Sequence, residues 1–421
     1  MYLTSIPLCQ KYGQTFCYGG DFLAKKKIVL PIVFIVCVFL ALVCFNLPPK
    51  NTVPGYEYKY VELPTDFRLP SSKVIAVGFA THVNAETLDA AKQILQLLFE
   101  KNGDAVFILE ENVGAGEKLN ELYSFSDENS RHFGFYSMYA SEEMYNILDL
   151  AQEKEIRIYG IDVQSTKGLD NIIYAKLDEL GFERTADVKR ILNYKPEKGS
   201  NLDLEKKKLV MDIEEFLNYS YRNESITQRE FDYLSFLLDN IKMNTEYIQN
   251  GKLTADREKM MAKNVSWIVE YEEKYFGNSQ SVLLASNGHI IKTPYSANGT
   301  DAFIETPMGF YLDEHFSSDY YAIVTDAQKI IFTASNRHQQ GKKFFVEREG
   351  ALLNYLNDTK SDVLFLDKTN YKTESWNLTV IGWYFVNQMA SRSEFYTIPT
   401  TFDSYDAILL YRYYTPSHYV S

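Results

Sequence analysis

The chain has 421 residues, more than one average domain yet within the size that α/β folds with helical insertions reach as a single unit. Hydrophobic residues at 46% and aromatics at 15% supply a sizeable core and exclude disorder. A formal net charge of -13, with no long basic run beyond the N-terminal region, argues against a nucleic-acid partner, since phosphate binding depends on clustered Lys and Arg.

In chain order, residues 1–27 read as a short cytoplasmic N-terminus ending in Lys25-Lys26-Lys27. Ile28 to Phe45 is a run of 18 apolar residues, followed by Asn46-Leu47-Pro48-Pro49. A helix over 28–47 would measure roughly 30 Å at about 1.5 Å per residue, which matches a hydrocarbon core, so one N-terminal transmembrane helix is expected. The lysines stay inside. The protein is then membrane-anchored with an extracytoplasmic C-terminal domain. A signal peptide is the rival reading; its apolar segment is normally shorter, and no A-x-A-like cleavage site follows here. Cys9, Cys17, Cys37 and Cys44 all lie within or before the run, so the body beyond it has no disulfide, thiolate metal site or cysteine nucleophile.

Residues 48–71 contain Pro48, Pro49, Pro54, Pro64 and Pro70, lack periodicity and read as a tether. The body, 72–421, alternates strand and helix patterns. Val74 to Thr81 is an apolar strand, and Leu88, Ala91, Leu95 and Leu98 mark one face of a helix over 85–101. Ala105 to Leu109 is a second strand, with loops expected after Val113 and Ser165. A helix over 142–154 leads to a strand ending at Ile161, and 169–180 is helical again. From about 201 to 276 the pattern becomes long polar helices, with Leu234, Leu237, Leu238 and Ile241 on one face and Met261, Val265 and Ile268 on another. This reads as a helical insertion. Val282 to Ala285 resumes the sheet, and 321–333, 362–366 and 407–410 supply later strands. The βαβ rhythm predicts an α/β fold with a mostly parallel sheet flanked by helices.

In open α/β sheets ligands bind beyond the carboxyl ends of the strands, so the polar residues that stop these apolar runs are the candidates. They are His82 after the first strand, Glu110 after the second, Asp162 after the third, and Ser286-Asn287-Gly288-His289 after the fourth. His82 is read as a general base: a neutral imidazole can take a proton from water attacking an ester carbonyl, an effect of roughly 10²- to 10⁴-fold. A structural histidine capping a strand is the alternative. Glu110 can orient that imidazole or titrate as an acid in a partly dry cleft. His289 completes the trio, and two histidines with a carboxylate also match a metal-ligand set, although no HExxH or tight His spacing supports one. No metal and no cofactor is expected. Ser286 lacks the first glycine of a G-x-S-x-G elbow and reads as a loop serine. His132, His315, His338 and His418 read as surface residues.

Several segments taken together resemble the erythromycin esterase family. Gly78-Phe79-Ala80-Thr81-His82 with Glu86 resembles its G-E-x-x-H followed by a glutamate. Ala105 to Glu110 resembles its second strand, and Tyr159-Gly160-Ile161-Asp162-Val163-Gln164-Ser165 its Y-G-x-D-x-x-S stretch. Asp256-Arg257-Glu258-Lys259-Met260-Met261-Ala262 is similar to its R-D-x-x-M-A helix, Ala285-Ser286-Asn287-Gly288-His289 to A-H-N-x-H, and Met308-Gly309 with Leu312 to M-G-x-x-L. The likeness runs from about 72 to 413. It implies a metal-independent carboxylic ester hydrolase with His82, Glu110 and His289 as the catalytic group, and a small-molecule substrate met by Phe79, Glu86, Asp162, Ser286 and Asn287. Three positions depart from the pattern: Phe79 replaces a Glu, Ala91 an Arg and Ser286 a His. Losing one oxyanion donor alone forfeits roughly 2.7–4 kcal/mol, so macrolide esterase activity of ordinary efficiency is not expected. A degenerate member that binds a small molecule or envelope component without turnover is the alternative. Substrate identity and oligomeric state stay open.

Overall fold

Apolar side chains occupy successive positions of the central strands, and a strand buried on both faces needs a cover on both. In the computed structural model, which describes residues 53–421 except 82–83, 122–138, 193–196, 297–303, 337–338, 369–374, 383–384, 386, 391 and 419–421, that cover is a helical layer on each side. The expected transmembrane helix and all four cysteines lie outside the described residues. No helix among the described residues is long and apolar enough to cross a membrane.

The chain forms β1 (Val74–Phe79), α1 (Ala85–Asn102), β2 (Val106–Asn112), α2 (Val113–Glu121), α3 (Glu142–Glu153), β3 (Arg157–Asp162), α4 (Leu169–Glu179) and α5 (Thr185–Ile191). Three long helices follow, α6 (Asn201–Arg222), α7 (Gln228–Gln249) and α8 (Thr254–Phe276). Then come β4 (Ser281–Ser286), the single turn α9 (Asn287–Ile290), β5 (Tyr295–Ser296), β6 (Ile304–Glu305) and α10 (Met308–Phe316). The last part comprises β7 (Tyr320–Asn336), β8 (Gln339–Glu347), α11 (Ala351–Asn357), β9 (Val363–Asp367), β10 (Ser375–Thr379), α12 (Asn387–Ala390), β11 (Thr397–Thr401) and β12 (Ala407–Tyr414).

The main sheet runs in the order β3-β2-β4-β1-β7-β12-β9, with β8 hydrogen-bonded to β7. Its pairings are parallel from β3 through β12 and antiparallel for β9 and β8. The fold is α/β, a mostly parallel sheet flanked by helices. Alternation divides the core: Val74, Ala76, Val106, Ile108, Leu283 and Ala285 pack toward α4–α8, and Ile75, Val77, Phe107, Leu109, Val282 and Leu284 toward α1 and α3. This is why the strands read as continuous apolar runs. β4 joins the sheet between β1 and β2, although more than 160 residues separate it from either in sequence by the order of elements; Phe79 sits opposite Ser286, and Leu109 opposite Leu284.

Two stretches differ from what the pattern suggests. The residues after Val113 form α2 instead of a loop, because Gly114 and Gly116 let that helix lie directly on the edge of the sheet. A Cβ at Gly116 would stand 2.3 Å from Gly160 N, and one at Gly160 would stand 2.2 Å from Asn112 O. Residues 53–72 have no helix or strand, yet they lie against α1: Gln93 donates to Val61 O at 3.1 Å and accepts from Leu63 N at 2.9 Å, and Tyr58 donates to Asp89. His315 and His418 are exposed, each paired with a glutamate, Glu270 and Glu143 respectively; His132 and His338 lie outside the described residues.

Glu86, in the first turn of α1, is 3% exposed and accepts from Thr415 N and Oγ1. Burial pushes its carboxyl up to about 7, against the hydrogen bonds from Thr415. A raised carboxyl favours the folded state at low pH, and that contribution is lost as pH rises through the folded value. Glu86→Gln, which keeps an acceptor for Thr415, is therefore expected to flatten the fall in melting temperature between pH 5 and 8; an unchanged pH dependence would contradict this assignment.

Candidate active site

The parallel strands end together, and the polar residues that stop them share one edge. β2 carries an irregularity between Leu109 and Asn112, which turns Glu110 out of the strand repeat. Glu110 Oε2 then accepts the Ser286 amide at 2.8 Å, tying the end of β2 to the end of β4. Next in sequence, Asn287 donates to Thr325 O at 2.7 Å and Thr379 O at 3.0 Å and accepts from Thr325 N at 3.1 Å. These bonds pin α9 over β7. They need a glycine at 78, where a Cβ would meet Asn287 Oδ1 at 2.3 Å. The pinned turn presents His289 to Glu110.

His289 Nε2 lies 3.1 Å from Glu110 Oε1. On the other side of the ring, Nδ1 lies 2.7 Å from Glu258 Oε1, at ion-pair distance but off the line of a good hydrogen bond. Arg257, the preceding residue on α8, donates to both oxygens of Asp162, Nε at 3.0 Å and Nη2 at 2.8 Å, and from Nη2 to Glu110 Oε1 at 3.1 Å. Three carboxylates therefore face one guanidinium and one imidazole. The side chains of Asp162, Glu258 and Glu110 are 1%, 3% and 4% exposed and that of Arg257 12%, while His289, at 16%, is the most exposed of the five. Burial would depress the imidazole, but Glu110 and Glu258 outweigh it and push His289 up to about 10.

Of the residues read from sequence, Glu110, Asp162 and His289 converge, and Ser286 joins through its backbone. His82 lies outside the described residues. Asn287 is fully buried and occupied in holding α9, so it faces the sheet and not a ligand. Phe79, 2% exposed, packs in the core with Ile75 and Val77, and Glu86 is engaged by Thr415. Ala91 is buried in the same core, so α1 offers no cation there. Arg257 and Glu258 were not singled out for a role. Their signal is the helical spacing, since Arg257 falls one turn before Met261 and Glu258 one turn before Ala262 on the inward side of α8.

A cleft of about 820 Å³ lies away from this cluster, along the outer edge of β3 by Arg157, Tyr233, Tyr271 and Phe276. Size alone does not locate chemistry. The strand-end cluster holds the converging titratable groups, and it is the candidate site.

A family model described as Erythromycin esterase matches residues 99–413. The chain belongs to the erythromycin esterase family. The match begins after the Gly78 to His82 segment, where Phe79 departs from the family's pattern. No curated protein matches the sequence. Among solved structures, the fold is similar to a Bacillus cereus protein, with TM-score 0.66 and 17% identity over 84% of this chain and 91% of that one. It is also similar to a succinoglycan biosynthesis protein, with TM-score 0.63 and 17% identity over 83% and 90% of the two chains. A mutant of the erythromycin esterase EreC in its open conformation gives TM-score 0.61 and 15% identity over 83% and 93%. Across the erythromycin esterase family match, β2, β3, α8 and α9 supply all five clustered side chains.

Proposed function

We propose that this erythromycin esterase family member hydrolyses an ester or related carbonyl of a small molecule. The observation that carries the reading is His289 held between Glu110 and Glu258 at the carboxyl edge of the sheet. His82 takes a proton from the attacking water, the water oxygen bonds to the carbonyl carbon, and negative charge gathers on the carbonyl oxygen. His289 and Arg257 supply a fixed positive field toward that charge, which in a partly dry cleft is worth more than in water. Collapse of the tetrahedral species expels the alkoxide, which recovers the proton from His82. In this reading residues 28–47 anchor the chain in a membrane and the body works on the extracytoplasmic side.

On a panel of esters, lactones and macrolides, His82→Ala is expected to lower turnover at least about 10²-fold with an unchanged melting temperature. Equal turnover in variant and wild type would reject the role of His82. A second reading, a binder without turnover, is favoured by the buried apolar Phe79 and Ala91 at positions where the resemblance calls for polar groups. Saturable binding with no product over days would decide for it.

A further inference from the structure

We propose that Glu258 is a positioning residue: it fixes His289 as an imidazolium with one ring N–H aimed at Glu110, and it ties that orientation to the start of α10. The catalytic consequence rests on the hydrolase reading above; the ionic consequence does not.

The argument begins with the ring. A neutral imidazole has one N–H and one lone pair, so two carboxylates at its two nitrogens cannot both be satisfied. Here Glu258 Oε1 is 2.7 Å from Nδ1 and Glu110 Oε1 is 3.1 Å from Nε2. Both contacts are at ion-pair distance, and two flanking carboxylates favour the doubly protonated, charged ring. Arg257 Nη1 lies 3.3 Å from Nε2 and can only donate, so it calls for a lone pair there and competes with Glu110 for that nitrogen as well as opposing the charge. That guanidinium is itself held by Asp162 from β3, which limits the opposition. From the remaining side, the Tyr295 hydroxyl stands over Gly288 and donates to Glu305 at 2.9 Å. The groups around the imidazole are therefore Glu110 from β2, Arg257 and Glu258 from α8, Asp162 through Arg257, and Tyr295 with Glu305 from the β5–β6 pair.

Glu110 is shared among His289, Arg257 and the Ser286 amide. Glu258 has different duties: Oε1 faces the ring and Oε2 accepts the Met308 amide at 2.8 Å, the first N–H of α10. An anion there is also favoured by the partial positive charge of a helix start. One carboxylate thus fixes the ring's charge, its rotation and the seat of α10. The charge so fixed removes His289 from the pool of bases and leaves proton abstraction to another group.

The test uses the full-length chain with histidine labelled in its ring carbons and nitrogens. His289 is assigned among the six histidines by loss of its signal in His289→Asn, and the ring is titrated by NMR from pH 5 to 11. In wild type both ring nitrogens are expected to stay protonated at pH 8. Glu258→Gln keeps the shape and an acceptor for Met308 but removes the charge, and its midpoint is expected to fall by about one pH unit or more; Glu258→Asp should recover part of the shift. A wild-type midpoint near 6.5, or no change in Glu258→Gln, overturns the proposal, and the wild-type titration decides it even if the variant fails to fold. With any ester that is turned over, Glu258→Gln is expected to lower kcat by roughly 10²-fold with KM little altered. A shifted titration with unchanged kcat overturns the positioning role. If no ester is turned over, the hydrolase reading fails while the ring titration still stands as a measure of Glu258.

Discussion

Arg257→Ala is expected to lower the stability of the fold by about 3–5 kcal/mol at neutral pH, because it strands buried carboxylates. Asp162 and Glu110 are almost completely shielded from solvent and both receive hydrogen bonds from this one guanidinium. Burial works against the charged Arg257, but Asp162 and Glu110 outweigh it and hold the guanidinium firmly protonated. The loss should shrink when the stranded carboxylates can take up protons, so urea unfolding of wild type and variant at pH 7 and pH 4.5 checks both size and cause. Arg257→Lys should recover only part, since an ammonium cannot match the two oxygens of Asp162 with a planar fork. A deficit under about 1 kcal/mol at pH 7 would mean that the cluster is solvated like a surface pair.

Gly309→Ala is expected to be the most damaging exchange of one hydrogen for a methyl near the site. The added Cβ would stand 2.2 Å from Ile290 O, 2.4 Å from Ile290 C and 2.5 Å from Ile291 O, all backbone atoms that cannot rotate away. Overpacking of this kind typically costs about 1–3 kcal/mol, through forced shifts of whole segments. The segment displaced would be the start of α10, which moves the Met308 amide off Glu258 and with it the seat of His289. Denaturant melts of Gly309→Ala beside Gly382→Ala, where nothing lies within 4 Å of the new methyl, measure the difference. Equal midpoints for the two variants would show that α9 and α10 yield freely.

The two predictions locate what sequence could and could not supply. Apolar runs at 74–79, 106–109, 157–161 and 282–285 mark the strands because each is buried on both faces, and a run of that kind needs no knowledge of its neighbours. The stops at Glu110, Asp162 and His289 are legible for the same reason: the run ends where the sheet ends. Phe79, Asn287 and Glu86 are equally polar or conspicuous in sequence, yet they go to the core, to β7 and to Thr415. A residue's position on a strand end fixes its height in the sheet but not the direction of its side chain, which depends on contacts from elements far away in the chain.

By itself, the sequence determined the α/β class, the edge of the sheet where polar groups collect, and the family through motifs spread in order along the chain. Periodicity and chain order are local properties, and they survive without coordinates. The tertiary structure decided that β4 lies between β1 and β2, which brings His289 against Glu110, and that α8 turns Arg257 and Glu258 into the same cluster. Strand order and helix rotation follow from how all the apolar faces are buried together. For that reason the pair of carboxylates that flanks His289, one from β2 and one from α8, is a property of the folded chain alone.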